Sequence, residues 1–86
     1  MKARVLVRLK PSILDAQGAT VQRALAGLGF AEVQDVRVGK VVDVELTGLA
    51  PDEARRRVDE MCARLLCNPV IEDWRIDSLR GLEAAR

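Results

Sequence analysis

The chain has 86 residues, about half of them hydrophobic, with 14 basic and 13 acidic side chains and no histidine. That length is enough for one domain, residues 1 to 86, with a small core that oligomerisation would help to stabilise. Near-neutral charge gives no global field toward nucleic acid or an anionic membrane, no apolar run can span a bilayer, and Lys2-Ala3-Arg4 lacks a signal peptide's apolar segment. The expectation is a cytoplasmic protein with neither nucleic acid nor membrane as partner.

In chain order, Ala3, Val5, Val7 and Leu9 alternate with Lys2, Arg4, Arg8 and Lys10 around Leu6, the pattern of a half-buried strand. Its basic stripe has cross-strand partners available in Asp43, Glu45, Asp73 and Asp77, which favours an internally paired, solvated face over a phosphate-binding one. A helix then starts either at Ser12, in a capping box with Asp15, or at Asp15 as N-cap with Gly18 in the first turn. Val21, Ala24, Leu25 and Leu28 carry its helical spacing, and Gly29 suits a left-handed stop.

The stretch from Val33 to Gly48 has the longest β signal and organises the chain. Val36, Val38, Val42, Val44 and Leu46 share one parity, interrupted only by Lys40. A two-residue turn at Gly39-Lys40 would force Asp43 and Glu45 onto the apolar face. A three-residue loop from Gly39 to Val41 and a single bent strand both keep the facing, and both stay open.

Pro51-Asp52-Glu53 opens a second helix, with proline suited to the first helical position and two acids at the positive end of the dipole. Its buried stripe is Ala54, Val58, Met61, Cys62, Leu65 and Leu66, while Arg55-Arg56-Arg57 solvates the outside. Asn68-Pro69 ends the helix, asparagine tolerating a left-handed cap and proline forbidding continuation. Val70 to Asp77 forms a last strand with Val70, Glu72, Trp74 and Ile76 on one face, and Leu79 to Arg86 is a short polar tail.

This alternation predicts an α+β two-layer sandwich, β-α-β-β-α-β, with two helices on one face of a mostly antiparallel sheet. Chemistry-bearing residues are sparse. Cys62 and Cys67, five apart on one helix, point in different directions, do not readily bridge, and read as core filler. Without histidine or a second cysteine pair there is no zinc ligand set, and no carboxylate cluster has a diagnostic spacing. No catalytic, cofactor-binding or metal residue is assigned, and no cofactor is expected in this chain.

Val7-Arg8-Leu9-Lys10, Ile13-Leu14-Asp15-Ala16-Gln17-Gly18, Val36-Arg37-Val38-Gly39-Lys40, Met61-Cys62 and the run from Leu65 to Asp73 together resemble the PurS family. This is the small subunit of phosphoribosylformylglycinamidine synthase in purine biosynthesis. The resemblance spans nearly the whole chain. It departs where the family has proline at Ala16, which favours Asp15 as N-cap, and tyrosine near Trp74.

The resemblance implies a non-catalytic subunit that joins a PurQ-type glutaminase to a PurL-type ATP-dependent synthetase, supports ammonia transfer, and forms a homodimer or higher oligomer. Asp15, Gly18, Gly39, Lys40, Asn68, Pro69 and Glu72, all in the matching segments, are the candidate interface residues. Lys40 and Glu72 are each the single charge on an apolar strand face, so each needs a partner, a route to water, or an interface. The alternatives are a ligand-sensing regulatory α+β module and a small enzyme acting through Lys40 or Glu72.

Overall fold

The structure, a computed structural model, describes residues 1 to 80. Five elements follow in order: β1 (Lys2–Leu9), α1 (Ala16–Gly27), β2 (Gly39–Glu45), α2 (Pro51–Met61) and β3 (Glu72–Arg80), with a π-helical turn (Cys62–Leu66) continuing α2. The strands form one antiparallel sheet in the order β2-β1-β3. The α+β class and the antiparallel sheet agree with the sequence reading. The order is β-α-β-α-β, because the central stretch supplies one strand rather than two.

The reason lies in the length of β1. Gly39 pairs with Arg8 and Glu45 with Lys2, so β2 uses nearly the whole of β1. Residues 33 to 38 run past its end and find no strand to join. Gly39 to Val41 is therefore neither a hairpin loop nor a bend: it is the start of β2, paired with Arg8, Val7 and Leu6.

The inner face of the sheet carries the core. Ala3, Val5 and Val7 of β1 are fully or nearly fully buried against Ala54, Val58 and Cys62 of the helical layer, with Leu46 and Cys67 at the margins. Val42, Val44, Trp74 and Ile76 pack around them. In β3 a bulge opposite Arg4 and Val5 pairs Val5 with Ile76 but Ala3 with Leu79. The one-residue shift changes parity, so Leu79 joins the core after Trp74 and Ile76. The strand thus reaches Arg80, three residues past the expected Asp77. The rest of the expected polar tail, residues 81 to 86, lies outside the described residues.

The outer face pairs its charges across strands at Asp43 and Asp73, as its alternation predicts, while Asp77 takes Arg75 of its own strand. Arg4 lies opposite Asp43 and grips it with two hydrogen bonds, Nε to Oδ1 at 2.9 Å and Nη2 to Oδ2 at 3.1 Å. Lys2 adds a second cation to Asp43 at 3.7 Å, Lys10 reaches Asp73 at 2.8 Å, and Arg75 reaches Asp77 at 3.5 Å. The fork and charge of Arg4 hold the Asp43 carboxyl below its usual range.

Only α2 covers the core. Pro51 starts it, Asp52 and Glu53 occupy its first turn, and Trp74 Nε1 donates to Asp59 Oδ1 at 3.4 Å to tie β3 to it. The stripe reading holds for Ala54, Val58, Met61, Cys62 and Leu66, but Leu65 is 83% exposed. The π turn explains this. Its longer bonding step, closed by Cys67 N–H to Cys62 O at 3.0 Å, shifts the helical phase so that Leu65 turns outward and Cys67 inward. The same turn brings the two thiols into contact, against the expectation from regular α spacing. Both are free and buried, as filler would be, and burial pushes the Cys62 thiol up to about 12.

The α1 helix is held differently. No residue of it belongs to the core cluster, and Gly18 is its one buried residue. Val21 and Leu28 stand exposed, with Phe30 just beyond the helix end. Gly29, at φ +99°, supplies the left-handed stop.

Candidate interface at one end of the sheet

Because β1 is antiparallel to both neighbours, the end of β1 meets the starts of β2 and β3. All seven candidate interface residues lie in the segments that converge there. Three small polar structures surround that sheet end, each with a local physical purpose.

The first surrounds Asp15, the buried charged residue of the described chain. It is the N-cap of α1, which decides between the two possible helix starts, and its Oδ1 accepts the Gly18 N–H at 2.9 Å. Its Oδ2 accepts the Val38 N–H at 2.6 Å, linking the helix start to the strandless segment before β2. These amides, Gly18 foremost, hold the carboxyl below its usual range against the opposing effect of desolvation, and Arg37 assists by charge. Gly18 is glycine for a steric reason. A Cβ there would fall on the Val36 carbonyl oxygen, far inside contact distance, and close to the Asp15 carboxylate. Asp15 and Gly18 therefore build the fold at this point and do not face outward.

The second is Arg37. Its Nη2 donates to the carbonyls of Lys10 at 3.0 Å and Ile13 at 3.1 Å, and approaches that of Leu9 at 3.5 Å. One guanidinium thereby satisfies the bend that follows β1. Gln22 Nε2, donating to Gln34 O at 3.1 Å, completes the attachment of α1 to this segment. Arg37 was missed as a single residue because its partners are carbonyls, which leave no mark in a side-chain pattern.

The third closes β3. Asn68 does not adopt a left-handed cap: among the described residues only glycines have positive φ. Its side chain instead accepts the Val70 N–H at 3.1 Å, and its carbonyl accepts the N–H groups of Ile71 and Glu72. Glu72 Oε1 accepts the Asn68 N–H at 2.7 Å. The turn delays the strand to Glu72 and leaves Val70, expected on the inner face, 79% exposed. Pro69 sits exposed within it.

Lys40 and Glu72 do share the inner face with the core residues, opposite Val7 and Leu9. They do not pair with each other. Glu72 has its backbone amide, while Lys40 is exposed at the sheet end and has no hydrogen-bond or ion-pair partner among the described residues. Gly39 beside it is held to a bare Cα, since a Cβ would lie 2.5 Å from the Val7 carbonyl oxygen. Of the candidates, Lys40, Pro69 and the exposed side of Asn68 are free to meet a partner. Among the described residues no helix is long and apolar enough to cross a membrane.

Comparison with known proteins agrees with this architecture. The family model of PurS, phosphoribosylformylglycinamidine (FGAM) synthase, matches residues 2–80. The PurS subunit of phosphoribosylformylglycinamidine synthase from Methanocaldococcus jannaschii is 43% identical over 75 residues, 87% of this chain and 90% of that one. The structure of Thermus thermophilus PurS superposes with a TM-score of 0.82 at 40% identity, covering 94% of this chain and 95% of the other. A chain of the PurLQS structure from Thermotoga maritima gives a TM-score of 0.79 at 26% identity, covering 92% and 99%. A three-stranded antiparallel sheet with two helices, matched by the family model over residues 2–80, places this chain in the PurS family, as a subunit of phosphoribosylformylglycinamidine synthase in purine biosynthesis.

Proposed function

We propose that this chain is the non-catalytic connecting subunit of its synthase, joining the glutaminase to the ATP-dependent synthetase and supporting the passage of ammonia between them. The observation that carries this reading is the occurrence of the same fold, over nearly its whole length, within the PurLQS assembly of Thermotoga maritima. The proposal includes a homodimer or higher oligomer working in the cytoplasm, for which exposed apolar residues on α1 and two open sheet edges offer surface. No catalytic, metal or cofactor role is assigned to its residues.

Lys40 is an exposed charge at the sheet end with no hydrogen-bond or ion-pair partner among the described residues, and Glu72 combines an inward charge with a structural hydrogen bond. The test compares synthesis from glutamine with synthesis from added ammonia in the assembled complex, since free ammonia bypasses the glutaminase. Lys40→Ala and Glu72→Gln, which keeps a carbonyl acceptor for the Asn68 amide, are expected to lower the glutamine-dependent rate severalfold and leave the ammonia-dependent rate near wild type. Normal glutamine-dependent activity with a lowered melting temperature would make both charges structural and remove them from the interface.

A further inference from the structure

A groove of about 410 Å³ opens where β1, β2 and β3 present their outer faces near the converging end. Its apolar floor includes Leu6 and Val41, the latter 57% exposed, which lie opposite each other in the register. Around them stand Arg8, Arg37 and Arg75, with Asp73 the one acid in the lining, while Lys40 borders the groove from the inner face. The neutralisation seen elsewhere on this face fails here. Asp73 is already taken by Lys10 at 2.8 Å, Arg75 has only a 3.5 Å approach to Asp77, and the residue across from Arg8 on β2 is Gly39, which has no side chain. Among the described residues Arg8 has no hydrogen-bond or ion-pair partner.

From this geometry we infer that the groove docks an acidic segment of a partner subunit of the synthase, its carboxylates meeting Arg8 and Arg75 while an apolar side chain sits on Leu6 and Val41. The inference rests on the connecting role proposed above and names the surface and chemistry of one contact. Guanidinium forks favour planar carboxylates, and an apolar floor framed by charge suits a peptide better than a bare anion. A nucleic-acid strand fits less well. The outer face away from the groove interleaves Lys2 and Arg4 with Asp43, Glu45 and Asp77, so it offers no continuing cationic track for a phosphate backbone.

The probes are the purified synthetase and glutaminase subunits of the same complex, titrated with the full chain at low and at physiological salt. Arg8→Glu and Arg75→Glu are expected to weaken assembly with one of them by about tenfold or more, because each places a like charge against the incoming carboxylates. Binding by the native chain should fall as salt rises, and the slope should flatten in the variants. Arg56→Glu, on the exposed side of α2, serves as the control and should bind as the native chain does. Arg8→Gln, which adds no acid beside Asp73, guards against misfolding and should give a smaller loss in the same direction.

Native-like assembly by the folded Arg8 and Arg75 variants would overturn the groove while leaving the connecting role intact. A change in self-association mass without a change in subunit binding would identify a second copy as the occupant and overturn it equally. Inorganic phosphate that raises the melting temperature through Arg8, with subunit affinity unaltered, would assign the groove to a small anion instead. Failure of the native chain to bind either subunit would overturn the connecting role and this inference together.

Discussion

The two helices of this chain are attached by different physics. The α2 helix is held by burial: Ala54 and Val58 are fully enclosed against β1, and the stabilisation is spread over many apolar contacts. The α1 helix is held by a few directed polar bonds, from Asp15 to two amides and from Gln22 to one carbonyl, with the bare Cα of Gly18 allowing the approach. Burial is cooperative with the sheet, so damage to α2 is damage to everything. A polar latch is local, so α1 should loosen without the rest unfolding.

Val58→Asp tests the first half of that contrast and should have the largest effect. An unpaired carboxylate in place of a fully buried valine costs several kcal/mol, comparable to the whole stability of a domain this small. The variant is expected to lose its cooperative thermal transition and near-ultraviolet dichroism. A melt within a few degrees of the native one would mean that α2 is not the core helix.

Gly18→Ala tests the second half and should come next. The added methyl must displace the Val36 carbonyl, an overpacking cost of about 1–3 kcal/mol. Hydrogen exchange is expected to quicken in α1 and in residues 34 to 38, while amides of β1 and α2 keep their protection. Uniform loss of protection throughout would show that the latch and the core are one cooperative unit.

This division also explains what could be read from the sequence. Elements held by burial leave a periodic signature, so the alternation of β1, the stripe of α2 and the inward positions of Lys40 and Glu72 were legible. The cross-strand pairs at Asp43 and Asp73 were legible too, because opposite charges at matching parity on neighbouring strands mark their own partners, whereas the Arg75–Asp77 pair lies within one strand. Elements held through backbone groups were not. Nothing in the apolar pattern of Val36 and Val38 says that β1 has ended, and nothing around Cys62 says that five residues will close a π turn rather than continue an α-helix. Among the candidate interface residues, Asp15 and Gly18 carried a correct structural signal, a cap and a first-turn glycine, whereas the amide partner of Glu72 had no counterpart in side-chain pattern.

The smallest expected effect is electrostatic and confined to the latch. Amide hydrogen bonds, the Gly18 N–H first and Val38 N–H second, stabilise the charged form of Asp15 and lower its pKa in the folded chain from the ordinary 3.8. A carboxyl lowered on folding contributes stability that is fully present above the unfolded value and is lost as pH falls through the folded one. Protection of the Gly18 and Val38 amides should therefore be constant at neutral pH, decline as the medium is taken below about pH 4, and be lost once Asp15 is protonated. Asp43 is also lowered, by Arg4, so global acid sensitivity alone would not identify the latch; the site-resolved amides do. Asp15→Asn sharpens the test. Its amide keeps one acceptor oxygen but turns a donor toward the second N–H, so it can satisfy Gly18 or Val38, not both. The variant should show reduced protection at one of these amides at neutral pH, with the acid-dependent step at position 15 abolished. If the native chain and Asp15→Asn lose protection of α1 in parallel as pH falls, the carboxylate is not the group that holds this helix.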